Sequence, residues 1–227
     1  MKDKNFIDII SKSTIEIAKN LLGMKLVLEK GGESEILGNI VETEAYLGTR
    51  DSACHSFMGK RTPRNESMYL AAGHWYVYQI HGHFMLNLVT KGKNVPEAVL
   101  IRAVQAEAPE HDGSGPGKLT KSFGITKEID GEYFVDSRLT LEVDKTPKEI
   151  ACRKRIGITC KDEWRDEPLG FYVKGNSQVS RIRKKEIFGD DELTWENPAF
   201  QENKKRARRN DTRGMNSCLF VRERMPE

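Results

Sequence analysis

The sequence predicts a mixed α/β (α+β) domain over residues 1–195 and a basic, flexible C-terminal tail over residues 196–227. Three observations lead to this prediction. Short runs rich in β-branched and aromatic residues alternate with turn residues, as is typical of strands. One N-terminal segment has the spacing and capping residues of a helix. Beyond Trp195 the apolar pattern fades. With 227 residues, 37% of them hydrophobic, the chain is long enough to bury a core.

The individual elements follow from local patterns. Ser13 and Glu16 form a capping box, and apolar residues at helical spacing follow it as far as Gly23. Short helices are also predicted over residues 119–123 and 148–157. Strands are predicted over residues 25–28, 40–46, 75–80, 84–89, 99–104 and 170–174. Strands therefore dominate the domain, with short helices between them.

The charge is distributed unevenly along the chain. Residues 196–227 contain eight basic and five acidic side chains, which accounts for the whole net charge of +3. The neutral body excludes a protein that coats polyanions indiscriminately, and it leaves room for a local basic face. There is no apolar run of bilayer length and no Cys-x-x-Cys pair among the four cysteines. The N-terminal residues lack an apolar run followed by a small-residue cleavage site, so we expect no signal peptide. We expect reduced thiols, no membrane association, and a location in the bacterial cytosol or nucleoid, or in the nucleus of a eukaryote.

Two acidic residues stand out in the predicted strand 40–46. Glu42, Glu44 and Tyr46 share one face of a strand, which places the two carboxylates roughly 7 Å apart. Like charges at this separation raise the pKa of one group and suit it to acid or base chemistry. A glycoside hydrolase uses such a pair, whereas on a solvent-exposed face the same residues are two ordinary carboxylates.

A basic turn precedes a group of aromatic residues. Residues 60–65 (KRTPRN) are followed by Tyr69, Trp75, Tyr76 and Tyr78. Cations beside aromatic rings suit nucleic-acid phosphates and stacked bases. The alternative is a solvated loop beside aromatic residues of the core. Side chains alternate along a strand, so Tyr76 and Tyr78 face one way and Trp75 and Val77 the other, and one of these two sets lies in the core. Residues 115–119 (GPGKL) lack the P-loop pattern, although a loop with lysines nearby can still hold a DNA phosphate.

Several blocks in a fixed order resemble the alkyladenine (3-methyladenine) DNA glycosylase family of the eukaryote type. They are VETEAYLG, SACHS, KRTPRN, WYVYQIHG, LIRAV, GPGKL and EPLGFYVKG, within residues 10–182. The resemblance implies a single domain around a curved antiparallel sheet. It implies a monofunctional base-excision-repair enzyme that acts as a monomer on double-stranded DNA, without a cofactor or metal. Such an enzyme flips damaged purines (3-methyladenine, 7-methylguanine, hypoxanthine, ethenoadenine) out of the duplex, hydrolyses the N-glycosidic bond with a Glu-activated water, and leaves an abasic site.

The resemblance also implies roles for individual residues. Glu44 matches the catalytic carboxylate, Arg102 its water-positioning partner, and the Ile156 carbonyl a third contact to that water. Asn87 matches the side chain that excludes the 2-amino group of guanine. The stacking residues of the base pocket are Tyr46, His55 and Tyr78. The matched phosphate contacts are Thr62, Lys118 and Lys127, and the basic loop adds Lys60, Arg61 and Arg64.

One departure concerns the DNA wedge. The family's intercalating tyrosine is replaced here by His81, and the stretch from His81 to Asn87 is one residue shorter than the vertebrate pattern. A histidine is smaller than a tyrosine and titrates near neutral pH, so we expect weaker or pH-dependent base extrusion. A non-catalytic DNA-binding module that stacks bases on its aromatic residues remains the alternative function.

Overall fold

A computed structural model describes residues 10–30 and 32–197. Eight strands form one antiparallel, curled sheet with few short helices around it, which confirms the predicted fold class. The helices are α1 (Thr14–Asn20) and α2 (Pro116–Phe123). The strands are β1 (Lys25–Lys30), β2 (Glu33–Tyr46), β3 (Trp75–Ile80), β4 (His83–Val89), β5 (Ala98–Ala106), β6 (Leu139–Glu142), β7 (Ile150–Arg153) and β8 (Gly170–Val173).

The long strand β2 organises the sheet. It pairs with β5 along one edge, and on its other edge it pairs first with β1 and then with β8. Gly38 of β2 has a φ of +136°, and a Cβ added there would lie 2.0 Å from the carbonyl oxygen of Gln105. Only glycine permits this close approach of the two backbones. The C-terminal half of β2 is therefore enclosed between β5 and β8.

The side-chain alternation in β3 separates two apolar clusters. Trp75 and Val77 belong to the main core, and Tyr76 belongs to a second cluster against which Tyr78 packs. The predicted period-two pattern of this strand is confirmed. The second cluster also contains Cys54, Met68 and Tyr69, so the aromatic side of β3 supports the loop that follows β2.

The capping box predicted at Ser13 is confirmed, because the Ser13 and Glu16 side chains each bond to the other's backbone amide. The helix predicted over residues 148–157 is wrong. Ile150 to Arg153 form β7, which pairs with β8 from Ile150 opposite Val173 to Arg153 opposite Gly170. This segment has no apolar helical stripe, and pairing with β8 outweighs its local helix propensity.

The last described residues follow the final strand of this sheet. Trp195 is buried, and its indole N–H donates to Oε1 of Gln105 at 3.0 Å. Most of the predicted tail, including the basic run 204–209, lies outside the described residues. No disulfide joins the described cysteines, and within the described residues no helix is long and apolar enough to span a membrane.

Candidate active site

Glu42 and Glu44 lie at the centre of β2, where neighbouring strands cover both edges. Glu44 is opposite Leu100 on β5 and opposite Gly170 on β8. Both carboxylate side chains are only 1% exposed. The alternative of two ordinary carboxylates on a solvent face is therefore wrong.

Glu44 is held by three groups from different parts of the chain. Its Oε1 accepts a hydrogen bond from the Ile156 N–H at 2.7 Å and lies 3.4 Å from Nη1 of Arg102. Its Oε2 accepts from the Tyr46 hydroxyl at 2.9 Å. Burial raises the pKa of Glu44, and the Arg102 charge and the two hydrogen bonds oppose that rise in part. The result is a fixed, poorly solvated carboxylate, as acid–base catalysis requires.

Arg102 links the two carboxylates. Its Nε lies 3.2 Å from Oε1 of Glu42 and donates to Oγ of Ser180 at 3.2 Å. The pairing of β2 with β5 is irregular on both sides of Glu42: the first irregularity leaves out Val41 on β2, and the second leaves out Arg102 on β5. Such irregularities redirect side chains beside functional sites. The structure thus brings together Glu44 and Arg102, the two residues that the family resemblance matches to a catalytic carboxylate and its partner.

Glu42 is committed to structural contacts. Its Oε1 also pairs with Arg153, and its Oε2 accepts from the Ser180 N–H at 2.9 Å. These contacts occupy both of its oxygens. A glycoside hydrolase needs a second carboxyl group that reaches the substrate, so these contacts disfavour that interpretation.

A cavity of about 540 Å³ lies in front of this network. This volume is typical of small-molecule pockets. Glu44 lies directly behind its wall, because three of the lining residues are the partners of Glu44: Tyr46, Arg102 and Ile156. The other predicted pocket and wedge residues that line it are His55, Tyr78, His81 and Asn87.

His55 and the tyrosines form an aromatic wall. Nδ1 of His55 lies 2.8 Å from the Tyr76 hydroxyl, and its ring meets the Tyr78 ring edge to face with centroids 4.4 Å apart. Burial lowers the pKa of His55, as do the Arg64 and Lys60 charges. Burial also raises the pKa of Tyr78 to about 12. The wall therefore presents neutral rings at physiological pH.

Asn87 and His81 occupy different environments. Asn87 is buried, and its amide nitrogen donates to the carbonyls of Tyr76 and Met85, each at 3.1 Å. This amide is thereby held rigidly in the cavity wall. His81 is exposed in the two-residue turn between β3 and β4, with a φ of +49°.

A buried ion pair lies next to the residues that hold Glu44, and it was not predicted from the sequence. Asp51 and Arg155 have fully buried side chains, joined by bonds of 2.5 Å and 2.8 Å. Arg155 also donates to the Ala45 carbonyl at 3.1 Å and stacks 4.7 Å from the Tyr46 ring centroid. Asp51 lies only four residues before His55, which is the one local signal for this pair.

The geometry agrees with a comparison to known proteins. Residues 8–177 match the family model of methylpurine-DNA glycosylase. This chain belongs to that family. A relative in Staphylococcus saprophyticus, named "Putative 3-methyladenine DNA glycosylase", is 41% identical over 202 residues, which cover 83% of this chain and 98% of the relative. A relative of the same name in Staphylococcus haemolyticus is 43% identical over 202 residues, which cover 83% of this chain and 99% of the relative. The chain is a DNA glycosylase, a hydrolase of N-glycosyl bonds with DNA as its substrate.

The predicted phosphate contacts of this glycosylase fall into two groups. Lys60, Arg61, Thr62 and Arg64 share the loop that follows His55. The buried Asn65 closes this loop by donating to the carbonyls of His55 and Lys60 at 3.1 Å and 2.9 Å. Lys118 and Lys127 lie elsewhere, on α2 and on the turn after it.

The cations also differ in their partners. Arg61 pairs with Glu66 at 2.5 Å, Lys118 with Asp112 at 3.0 Å and Lys127 with Asp130 at 2.7 Å. Arg64 donates to the carbonyl of Gln79 at 2.6 Å. Lys60 has no side-chain partner among the described residues. No group of three or more His, Cys, Asp or Glu side chains in that part of the chain could hold a metal ion.

Proposed function

We propose that this glycosylase removes damaged purines from duplex DNA as a monofunctional enzyme. The damaged nucleotide rotates out of the stack into the aromatic cavity, and a water activated by Glu44 attacks C1′ of the deoxyribose. The free base and an abasic site are the products. The observation that carries this proposal is the buried Glu44 carboxylate, fixed by Tyr46, Arg102 and Ile156 behind the cavity wall.

The arrangement of Glu44 leaves room for one water. A carboxylate has about four lone-pair positions, and three of those on Glu44 face Tyr46, Ile156 and Arg102. A water between Glu44 and the cavity uses the remaining one. The ionised carboxylate accepts the proton of this water and stabilises the positive charge that develops on the sugar.

The aromatic wall supports extrusion of the base. Base–aromatic stacking contributes about 1–3 kcal/mol per base, which offsets a large part of the few kcal/mol needed for extrusion. Stacking on Tyr46, His55 and Tyr78 does not discriminate between purines. Asn87 supplies discrimination, because its rigid amide leaves no space for the 2-amino group of guanine.

The cavity also indicates the nucleophile. No lysine lines it among the described residues, so no amine is placed to form a covalent intermediate with C1′. Water is therefore the nucleophile, and the enzyme leaves the sugar–phosphate backbone uncut.

The proposal is tested with duplex oligonucleotides that contain hypoxanthine, ethenoadenine or 7-methylguanine. We expect strand breaks only after alkaline treatment, and none with Glu44→Gln. Breaks without alkali would contradict the monofunctional mechanism. Binding without excision would indicate the non-catalytic stacking module instead.

The basic loop leads to a prediction about salt dependence. Lys60→Ala should reduce the slope of log Kobs against log salt by about 0.9, because one phosphate contact is lost. Arg61→Ala should reduce it less, since Arg61 is already paired with Glu66 and also donates to Asn94. Fluorescence titrations of a lesion duplex at several salt concentrations measure both slopes. Equal changes for the two variants would contradict this assignment.

The wedge position leads to a second prediction. His81→Tyr should bind a lesion duplex about two- to tenfold more tightly at pH 8, because a phenol ring offers more stacking area. At pH 6 a protonated imidazole attracts DNA phosphate, so the difference should narrow. Dissociation constants for both proteins at the two pH values test this, with an undamaged duplex as control. The same pH dependence in both proteins would exclude His81 as its source.

A further inference from the structure

A second cavity lies beside the one already described. It has a volume of about 610 Å³ and shares Arg102, Pro116 and Arg181 with the first cavity. Its remaining wall comes from the start of β4, the loop that enters α2 and the segment after β8. A ligand in this second cavity would therefore lie next to a nucleotide in the first cavity.

The chemistry of this second cavity is that of an anion site. Its charged and titratable lining residues are His83, Arg102, Lys118 and Arg181, and no aspartate or glutamate among the described residues lines it. Arg102 already pairs with Glu42 and Glu44, and Lys118 with Asp112, so Arg181 is the lining cation without a carboxylate partner among the described residues. Small residues complete the wall and allow a ligand to approach the backbone closely: Ser114, Gly115, Gly117, Ser177 and Ser180. The His83 ring lies directly over Gly117, where an added Cβ would be 2.9 Å from Cγ of His83.

The proposed function does not explain the conformation of Arg181, which lines this cavity. Its backbone has a φ of +54°, in the left-handed region that non-glycine residues rarely adopt. Its side chain has no hydrogen-bond or ion-pair partner among the described residues, whereas the nearby Arg183 pairs with Glu186. Such strain persists where surrounding contacts impose it, and it clusters at functional sites.

The residue before Arg181 explains its position. Ser180 donates its N–H to Glu42, its carbonyl accepts from Arg153 at 2.8 Å, and its hydroxyl accepts from Arg102. Arg181 is therefore fixed to the same network that holds Glu44. The family match ends at residue 177, so it does not extend to Arg181.

We propose that Arg181, together with His83 and Lys118, binds a backbone phosphate of the DNA strand that carries the extruded nucleotide. This inference rests on the proposed function, because a base in the first cavity brings the phosphates attached to its own sugar next to the second. The cationic wall neutralises the phosphate, and Arg181 donates hydrogen bonds to its oxygens.

The test combines a protein variant with a modified DNA. Arg181→Gly removes the cation and relieves the left-handed backbone, which offsets the greater freedom of glycine in the unfolded chain, so its thermal stability should equal or exceed that of the wild type. Its affinity for a lesion duplex should nevertheless fall about two- to fivefold, and its salt slope should flatten by about 0.9. Arg181→Lys should retain the slope. Arg183→Ala is the matched control, because Arg183 is exposed, paired and outside the cavity.

A neutral methylphosphonate placed at single positions around the lesion identifies the phosphate. At one position the methylphosphonate should weaken binding of the DNA by the wild type but should not weaken binding by Arg181→Gly any further. Equal affinities and slopes for Arg181→Gly and wild type, or the same methylphosphonate penalty in both, would overturn the inference. Wild-type excision is measured on the same duplexes: its absence would overturn the proposed function, whereas the slopes and methylphosphonate penalties decide the role of Arg181.

Discussion

Glu44→Gln is expected to lower the single-turnover rate of excision by about 10²- to 10⁴-fold, the usual loss when a general base is removed. The amide retains the shape of the side chain, and one oxygen can still accept from Tyr46 or from the Ile156 N–H. Binding to a lesion duplex should therefore stay close to that of the wild type. Single-turnover assays at saturating enzyme and fluorescence titrations measure the two quantities separately.

Glu42→Gln is the matched control on the same strand. Glu42 neutralises Arg102 and Arg153 in a buried setting, and losing one partner of a buried ion pair commonly costs about 3–5 kcal/mol. This variant should lose stability in thermal melts, because Arg153 loses its carboxylate partner. Glu44→Gln should lose activity with a smaller loss of stability, because Arg102 keeps Glu42 as its partner. Excision by Glu44→Gln within threefold of wild type would remove Glu44 from the mechanism.

The raised pKa of Glu44 also sets the sign of a pH effect. Excision needs the ionised carboxylate, so the rate should fall as the pH drops through the pKa of Glu44. Arg102 lowers that pKa, and Arg102→Met should consequently move the acidic limb of the pH profile to higher pH. An unchanged limb would mean that another group controls it.

The second large effect is expected at the buried pair of Asp51 and Arg155. Arg155→Met should destabilise the protein by about 3–5 kcal/mol, because the fully buried Asp51 carboxylate loses its bidentate partner. Asp51 would keep only the backbone N–H groups of Leu47 and Ala53. Urea denaturation measures the loss.

The double variant Asp51→Asn, Arg155→Met separates stability from positioning. Removing both charges should recover much of the stability, since the asparagine oxygen can accept from one of these amides. The buried Nε of Arg155, which has no partner among the described residues, also disappears. Excision should stay below that of the wild type, because Tyr46 has lost the guanidinium stacked on its ring and Ile156 its anchored neighbour. Full recovery of both stability and excision in the double variant would show that the ion pair of Asp51 and Arg155 has a purely structural role.

Local patterns in the sequence determined a large part of this protein. The capping box at Ser13 and the alternation in β3 depend on neighbouring residues alone, and the structure agrees with both. The family follows from blocks of contiguous sequence such as VETEAYLG. Within that block, period two predicts that Glu44 and Tyr46 share a face, and their hydrogen bond is a consequence.

The tertiary structure decided how the environments of the two carboxylates differ. Glu42 and Glu44 look equivalent in the sequence, but Arg153 and Ser180 engage only Glu42. The tertiary structure also made residues 150–153 a strand, β7, and thereby placed Arg155 and Ile156 close to Glu44. These contacts join residues more than 100 positions apart, and the register of β2 with β5 and β8 brings them together. Because register is a property of the whole sheet, no local pattern contains it.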